Sequence, residues 1–134
     1  MILKIEHLGI AVKNMEAANR LFATLLGTSS YKEETVEREK VSTSFFRVGE
    51  AKVELLEATG PESPIARFIE KRGEGIHHVA FEVDDIVAMM EQLKSQGFEL
   101  LSDVPKKGAD NKMICFLHPK STHGVLVELC QEIR

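Results

Sequence analysis

The sequence predicts an α+β fold built from two βαβββ modules, and two observations predict it. The element order runs strand, helix, three strands, and then repeats. The two halves also match near both ends of the unit. IEHLGIAVKNMEAA (5–18) lies over IHHVAFEVDDIVAM (76–89), which sets His7 over His78, Ile10 over Phe81, Val12 over Val83 and Asn14 over Asp85. KVELLE (52–57) lies over LVELCQ (126–131), which sets Glu54 over Glu128. One such match is within reach of chance, whereas a match at both ends with the same order between them is far less so. The chain is therefore read as a single domain, 1–134. Its internal repeat covers 3–58 and 75–131, with a linker at 59–74.

Each element has a local reason. LKIEHLGIAV (3–12) is rich in β-formers and partly alternates, so it is a strand. Asn14 is an N-cap, Met15, Leu21, Phe22 and Leu25 form the apolar face of a helix, and Gly27 ends it. Strands follow at about 31–39, 41–48 and 51–58, with Gly49-Glu50 as the last turn. TGPESP (59–64) is a loop, and IARFIEKR (65–72) is a short amphipathic helix or linker. The second module begins with a strand at 76–83. Asp85 caps a helix over 86–97, FELLS (98–102) is a short strand, and DVPKKGADNK (103–112) is a loop. MICFLHP (113–119) and GVLVELC (124–130) are the closing strands.

Composition narrows the function classes. The chain has 134 residues, 43% hydrophobic and 28% charged, as expected of a globular domain long enough to bury a core. The net charge of −4 argues against nonspecific nucleic-acid binding, which needs a basic face. No apolar run approaches the ~20 residues that span a membrane, so no membrane partner is expected. The start has no secretory pattern, so a cytoplasmic location is expected. Cys115 and Cys130 sit in apolar strands without metal-finger spacing and are read as buried, reduced thiols.

Strand parity then selects the candidate site. Neighbours on a strand point to opposite faces. Leu8, Ile10 and Val12 share the core face of the first strand, while His7 shares the other with Gly9 and Ala11. In the second half His78 shares its face with Ala80. His77 lies with Val79 and Phe81 and is read as a hydrogen-bonded structural histidine. Small neighbours beside a histidine leave space for a concave site. Two histidines and two glutamates at equivalent places, His7, Glu54, His78 and Glu128, form a ligand set for a divalent metal such as cobalt, manganese, nickel, iron or zinc. Four protein ligands on an octahedral ion leave two positions through which a substrate chelates by two oxygens. Glu57 and Glu82 are read as residues of a solvated face. His118 and His123 are read as structural groups at loop ends, with a place at the pocket rim as the alternative.

Three stretches carry a family resemblance: IEHLGIAV (5–12), VELLEATGPESPIARFIEKRGEGIHHVAFEVDDI (53–86) and FLHPKSTHGVLVELCQ (116–131). With them the chain resembles the vicinal oxygen chelate (glyoxalase) superfamily and, within it, the methylmalonyl-CoA epimerase family. The resemblance implies paired βαβββ units that form a curled, cup-shaped mixed sheet around one metal. It places the ligands at His7, Glu54, His78 and Glu128; some members carry glutamine at the position of Glu54. The implied reaction is interconversion of (R)- and (S)-methylmalonyl-CoA in propionate metabolism, through an enolate stabilised by a divalent metal, cobalt among the candidates. The implied partners are an acyl-CoA substrate and a second copy of the chain in a homodimer.

Epimerisation without an organic cofactor needs acid–base groups on both sides of the α-carbon. The resemblance makes Glu128 both ligand and base. Some members place a glutamate on the strand corresponding to 41–48, where this chain has Thr43, which cannot act as a base. Glu39, Glu54 and a bound water remain open as the second base. Thr43 is a candidate substrate contact. Lys106, Lys107, Lys112 and Lys120 form a basic group toward coenzyme A, and PKKGADNK has the composition of a lid loop. The competing functions are a glyoxalase-type lyase or isomerase acting on a glutathione hemithioacetal, and a ligand-binding protein of the same fold.

Overall fold

The computed structural model describes residues 1–133. Its strands are β1 (Ile2–Ala11), β2 (Lys32–Val36), β3 (Val41–Val48), β4 (Ala51–Ala58), β5 (Gly75–Val83), β6 (Lys106–Lys107), β7 (Lys112–Leu117) and β8 (Val127–Glu132). Its helices are α1 (Met15–Leu26), α2 (Pro64–Arg72) and α3 (Ile86–Ser95). The chain divides into two compact units. One is Leu8–His77; the other joins Met1–His7 to the chain from His78 onward.

In the unit Leu8–His77 the strand order is β2-β3-β4-β1. The Asn14 side chain accepts from the Ala17 backbone N–H at 2.9 Å and starts α1. Gly27 ends the helix at φ 71°, a conformation that glycine adopts without strain. Met15, Ala18, Phe22, Ala23 and Leu26 pack with Val12, Phe46 and Leu55. Leu21 and Leu25, expected on that face, are 60% and 69% exposed. They belong to a second (i, i+4) row, one residue round from Phe22 and Leu26, which turns it by about 100° toward solvent. Fully buried Phe46 and Leu55 contribute roughly 1.5–3 kcal/mol each.

The expected linker carries α2. The Ser63 hydroxyl accepts from the Ile65 N–H at 3.1 Å and Pro64 occupies the first turn, a strong start signal. Ile65, Phe68 and Ile69 pack on Ala11 and Leu56. Ala11 is small so that α2 can approach, and the space expected around it is filled. The first strand after α1 stops at Val36, short of the expected 39, because Glu37–Glu39 forms a 3₁₀ turn.

In the other unit the order is β1-β5-β8-β7-β6. Strands β5 and β8 are parallel, with Ala80 opposite Glu128. The Asp85 side chain accepts from the Ala88 N–H at 3.1 Å and starts α3. Ile86, Met90 and Leu93 bury against Cys115, Leu117, Val127 and Leu129. The FELLS strand is reduced to one bridge, Leu100 to Leu117. The expected loop 103–112 instead holds β6, a hairpin strand paired with β7, and Asp110 and Asn111 turn it at φ 58° and 55°. The closing strand begins at Val127 rather than 124, because Pro119–Thr122 forms a 3₁₀ turn and Gly124 has φ 89°.

The internal repeat reaches into side-chain detail. Phe45 faces Glu54 across β3–β4, and Phe116 faces Glu128 across β7–β8. Glu57 accepts from the Met15 N–H at 2.9 Å, and Gln131 accepts from the Ile86 N–H at 2.8 Å. Equivalent side chains thus satisfy the first free donor of equivalent helices. Glu57 is therefore a half-buried helix cap rather than a residue of a solvated face.

Candidate metal centre

β1 delivers His7, β5 delivers His78 and β8 delivers Glu128, all buried and all within the unit that begins at Met1. The Nε2 atoms of the two histidines lie 3.0 Å apart. A Glu128 oxygen lies 3.0 Å from Nε2 of His78 and 3.5 Å from Nε2 of His7. Three donor atoms on three strands therefore converge within 4.8 Å. Two borderline nitrogens and one hard oxygen suit a first-row divalent ion. These donors fit such an ion, because two imidazole nitrogens facing each other need either a shared proton or a cation between them.

Burial pushes the Glu128 carboxyl up, and hydrogen bonds from His7 and His78, with their charge, more than reverse this and bring it down to about 2. At neutral pH Glu128 is thus an anion held by its neighbours, suited to ligation. A carboxylate at that value is a weak proton acceptor. The Phe116 ring meets His78 edge to face, with centroids 5.7 Å apart, and limits how that imidazole can rotate.

The other candidate residues are placed as follows. Glu54 is buried on β4, in the unit Leu8–His77. Thr43, 3% exposed, faces Leu56 across β3–β4, so it shares a sheet face with Phe45 and Glu54. Glu39 lies in the 3₁₀ turn before β3, off that face. His77 meets the Phe68 ring edge to face at 4.9 Å, on the other side of its strand from His78. Nδ1 of His118 accepts from the Lys120 N–H at 3.1 Å and caps a 3₁₀ turn, while His123 is exposed at φ 56°.

Among the lysines, Lys106 and Lys107 are exposed on β6. Exposed Lys120 pairs with Glu99 at 2.8 Å. Lys112 does not belong with them: it is 6% exposed, with Nζ 3.5 Å from Glu132 and 3.9 Å from Glu6. Within PKKGADNK (105–112), the stretch expected as a lid, Gly108 N–H bonds the Lys112 carbonyl at 2.8 Å and Ile133 N–H bonds the Asn111 carbonyl. Cys115 and Cys130 are free and fully buried, and burial raises both thiols above their ordinary value.

Sequence reasoning passed over Glu6. It is 2% exposed and its Oε1 lies 2.7 Å from Nδ1 of His7. Glu6 has the strand parity of Leu8, Ile10 and Val12, so a charge where the core face begins is the sequence signal that points to it.

Comparison with known proteins identifies the family and the fold. The profile of the Glyoxalase/Bleomycin resistance protein/Dioxygenase superfamily matches residues 6–116. The ethylmalonyl-CoA/methylmalonyl-CoA epimerase of Cereibacter sphaeroides is 41% identical over 133 residues, 98% of this chain and 99% of its own. The crystal structure of methylmalonyl-CoA epimerase from Mycobacterium tuberculosis aligns with TM-score 0.95 at 32% identity, over 99% of this chain and 90% of the other. A methylmalonyl-CoA epimerase in complex with methylmalonyl-CoA and NH4+ aligns with TM-score 0.94 at 31% identity, over 98% and 96%.

Proposed function

This chain belongs to the glyoxalase/bleomycin resistance protein/dioxygenase superfamily, and from that premise we propose that it interconverts (R)- and (S)-methylmalonyl-CoA with a divalent metal held by His7, His78 and Glu128. The observation that carries the reading is the buried convergence of those three donors on β1, β5 and β8. Epimerases at 31–41% identity over nearly the whole chain supply the substrate class. Glu54 is the proposed fourth ligand, because the repeat sets it over Glu128 and both face a phenylalanine across a hairpin.

The α-carbon of the substrate lies between a thioester and a carboxylate, so loss of its proton makes an enolate. A divalent ion at this site supplies the positive charge that stabilises that enolate. Inversion requires removal of the proton on one face and its return on the other. Glu128 is the proposed base on one face, at the cost of its low basicity in the metal-free site. Thr43 cannot accept a proton, so it is a proposed substrate contact. Glu54, buried on the same sheet face, is the first residue to test as the opposite-face group.

Lys106, Lys107 and Lys120 are proposed contacts of the anionic coenzyme A portion. Cobalt, manganese, nickel and zinc are the candidate metals, the homodimer and the place in propionate metabolism rest on the family resemblance, and a cytoplasmic location is proposed. No helix among the described residues is long and apolar enough to cross a membrane.

The test offers the purified, metal-reconstituted protein single epimers of methylmalonyl-CoA and, separately, the glutathione hemithioacetal of methylglyoxal. Conversion of either single epimer of the CoA ester into a mixture of both, with no turnover of the hemithioacetal, supports the proposal. Turnover of the hemithioacetal alone assigns the chain to glyoxalase-type chemistry, and turnover of neither leaves a binding protein.

A further inference from the structure

We infer that Glu6 is a positioning residue that sets which nitrogen of His7 faces the metal. The inference rests on the metal-site reading above and extends it to residues outside the ligand set. Glu6 is 2% exposed, and a carboxylate so deeply buried is costly unless its oxygens are matched. Both are. Oε1 lies 2.7 Å from Nδ1 of His7, and Oε2 lies 3.9 Å from the ammonium of Lys112. Lys112 is itself buried and is anchored from its other side by Glu132 at 3.5 Å.

A carboxylate only accepts hydrogen bonds, so the nitrogen facing it, Nδ1, carries a proton. Nε2, 3.0 Å from His78 and 3.5 Å from Glu128, is the other nitrogen: it faces the metal position, and as an ion binds it loses to solvent the proton it directs at Glu128 in the metal-free site. Ligation through Nε2 needs this tautomer and this ring orientation, and a partner on the far nitrogen supplies both. The engagement of both oxygens also removes Glu6 from the search for the second base. Lys112 acts on Glu6: it keeps the carboxylate from turning away from the histidine.

The test uses the full chain with Glu6→Ala, Glu6→Leu, Glu6→Gln and Lys112→Met, read by cobalt(II) titration and by ¹⁵N shifts of His7 in the metal-free protein. Glutamine keeps an oxygen that accepts from Nδ1, so it separates positioning from simple packing. Expected are a cobalt affinity lowered roughly 10–100-fold in Glu6→Ala and Glu6→Leu, substantial recovery in Glu6→Gln, and loss of the Nδ1-protonated signature only in the first two. Lys112→Met is expected to fall between Glu6→Gln and Glu6→Ala. Wild-type cobalt affinity and an unchanged His7 tautomer in folded Glu6→Ala overturn the inference. Should the alanine and leucine variants not fold, a Glu6→Gln variant that binds cobalt no better than Lys112→Met overturns it instead. If the wild-type chain takes up no cobalt, the metal reading fails, and the nitrogen shifts alone decide: an unchanged tautomer in Glu6→Ala overturns the inference.

Discussion

The hairpins β3–β4 and β7–β8 are equivalent pieces of the repeat, yet they carry different loads. Both set a phenylalanine against a glutamate, and both lend a side chain from the last strand to cap the module's first helix. In β3–β4 the phenylalanine, Phe45, is fully buried, and the hairpin continues into a five-residue outer strand, β2. In β7–β8 the phenylalanine lies against His78, and the outer strand has shrunk to the two residues of β6. The inner strands, which bear the donors, are preserved in both modules. The outer ones, which bear none of the proposed ligands, have diverged.

The largest expected effect breaks the equivalence of the two glutamates. Glu128→Gln should lower kcat/KM by roughly 10³-fold or more, the scale of losing several kcal/mol of charge stabilisation. Glu54→Gln should stay within roughly tenfold of wild type where Glu54 is a ligand only, because the amide oxygen still coordinates and, unlike at Glu128, no proton transfer is lost; a larger loss would assign Glu54 the opposite-face proton. Steady-state kinetics with metal content measured on each variant checks this; equal losses would deny the asymmetry.

Next in size are the two phenylalanines. Phe45→Ala should destabilise the protein by about 3–5 kcal/mol, the usual range for a filled core site. Phe116→Ala, at a half-buried position, should cost less stability and should weaken metal affinity by freeing His78. Denaturant melts paired with metal titration separate the two outcomes.

Acid stability gives a third comparison. In the metal-free protein the Glu128 carboxyl is lowered from 4.5 to about 2 on folding. Its contribution is complete above the unfolded value and is lost as pH falls from about 4.5 toward 2, on the order of 3 kcal/mol in all. Glu128→Gln should therefore flatten the acid limb of the stability profile, while Glu62→Gln, an exposed site, should leave its steepness nearly unchanged.

Smaller still is the hairpin glycine. A Cβ at Gly108 would lie 2.8 Å from Cδ1 of Ile114, so Gly108→Ala should cost about 1–3 kcal/mol through overpacking. Leu21→Ser and Leu25→Ser on the exposed side of α1 should change stability by no more than about 0.5 kcal/mol. Thermal melts check all three, and a marked loss in the leucine variants would indicate that a partner surface covers α1.

Much of this was legible in the chain because local chemistry decides it. Asn14, Gly27 and Asp85 bound helices by capping, and the repeat alone paired His7 with His78 and passed over His77. The misreadings share a cause, which is that a residue's partner lay far away in sequence. Leu21 and Leu25 fit a helical stripe, but the strands that receive α1 select the adjacent row. Glu57 reads as a surface acid until the Met15 N–H is brought to it from 42 residues away. Lys112 reads as one of a basic cluster until Glu6 and Glu132 enclose it. Glu6 differs, because its partner His7 is its neighbour in sequence and only its burial shows what it holds.

The central claim is that a metal at His7, His78 and Glu128 lets this chain exchange the α-proton of a malonyl-type thioester. Incubation of single-epimer methylmalonyl-CoA in D2O, with and without a chelator, followed by mass spectrometry, tests it most directly. The account predicts deuterium entering the α-position at the rate of epimerisation or faster, stopping on chelation and returning with added cobalt. Incorporation that persists unchanged in chelator, or no incorporation in the metal-loaded protein, would contradict it.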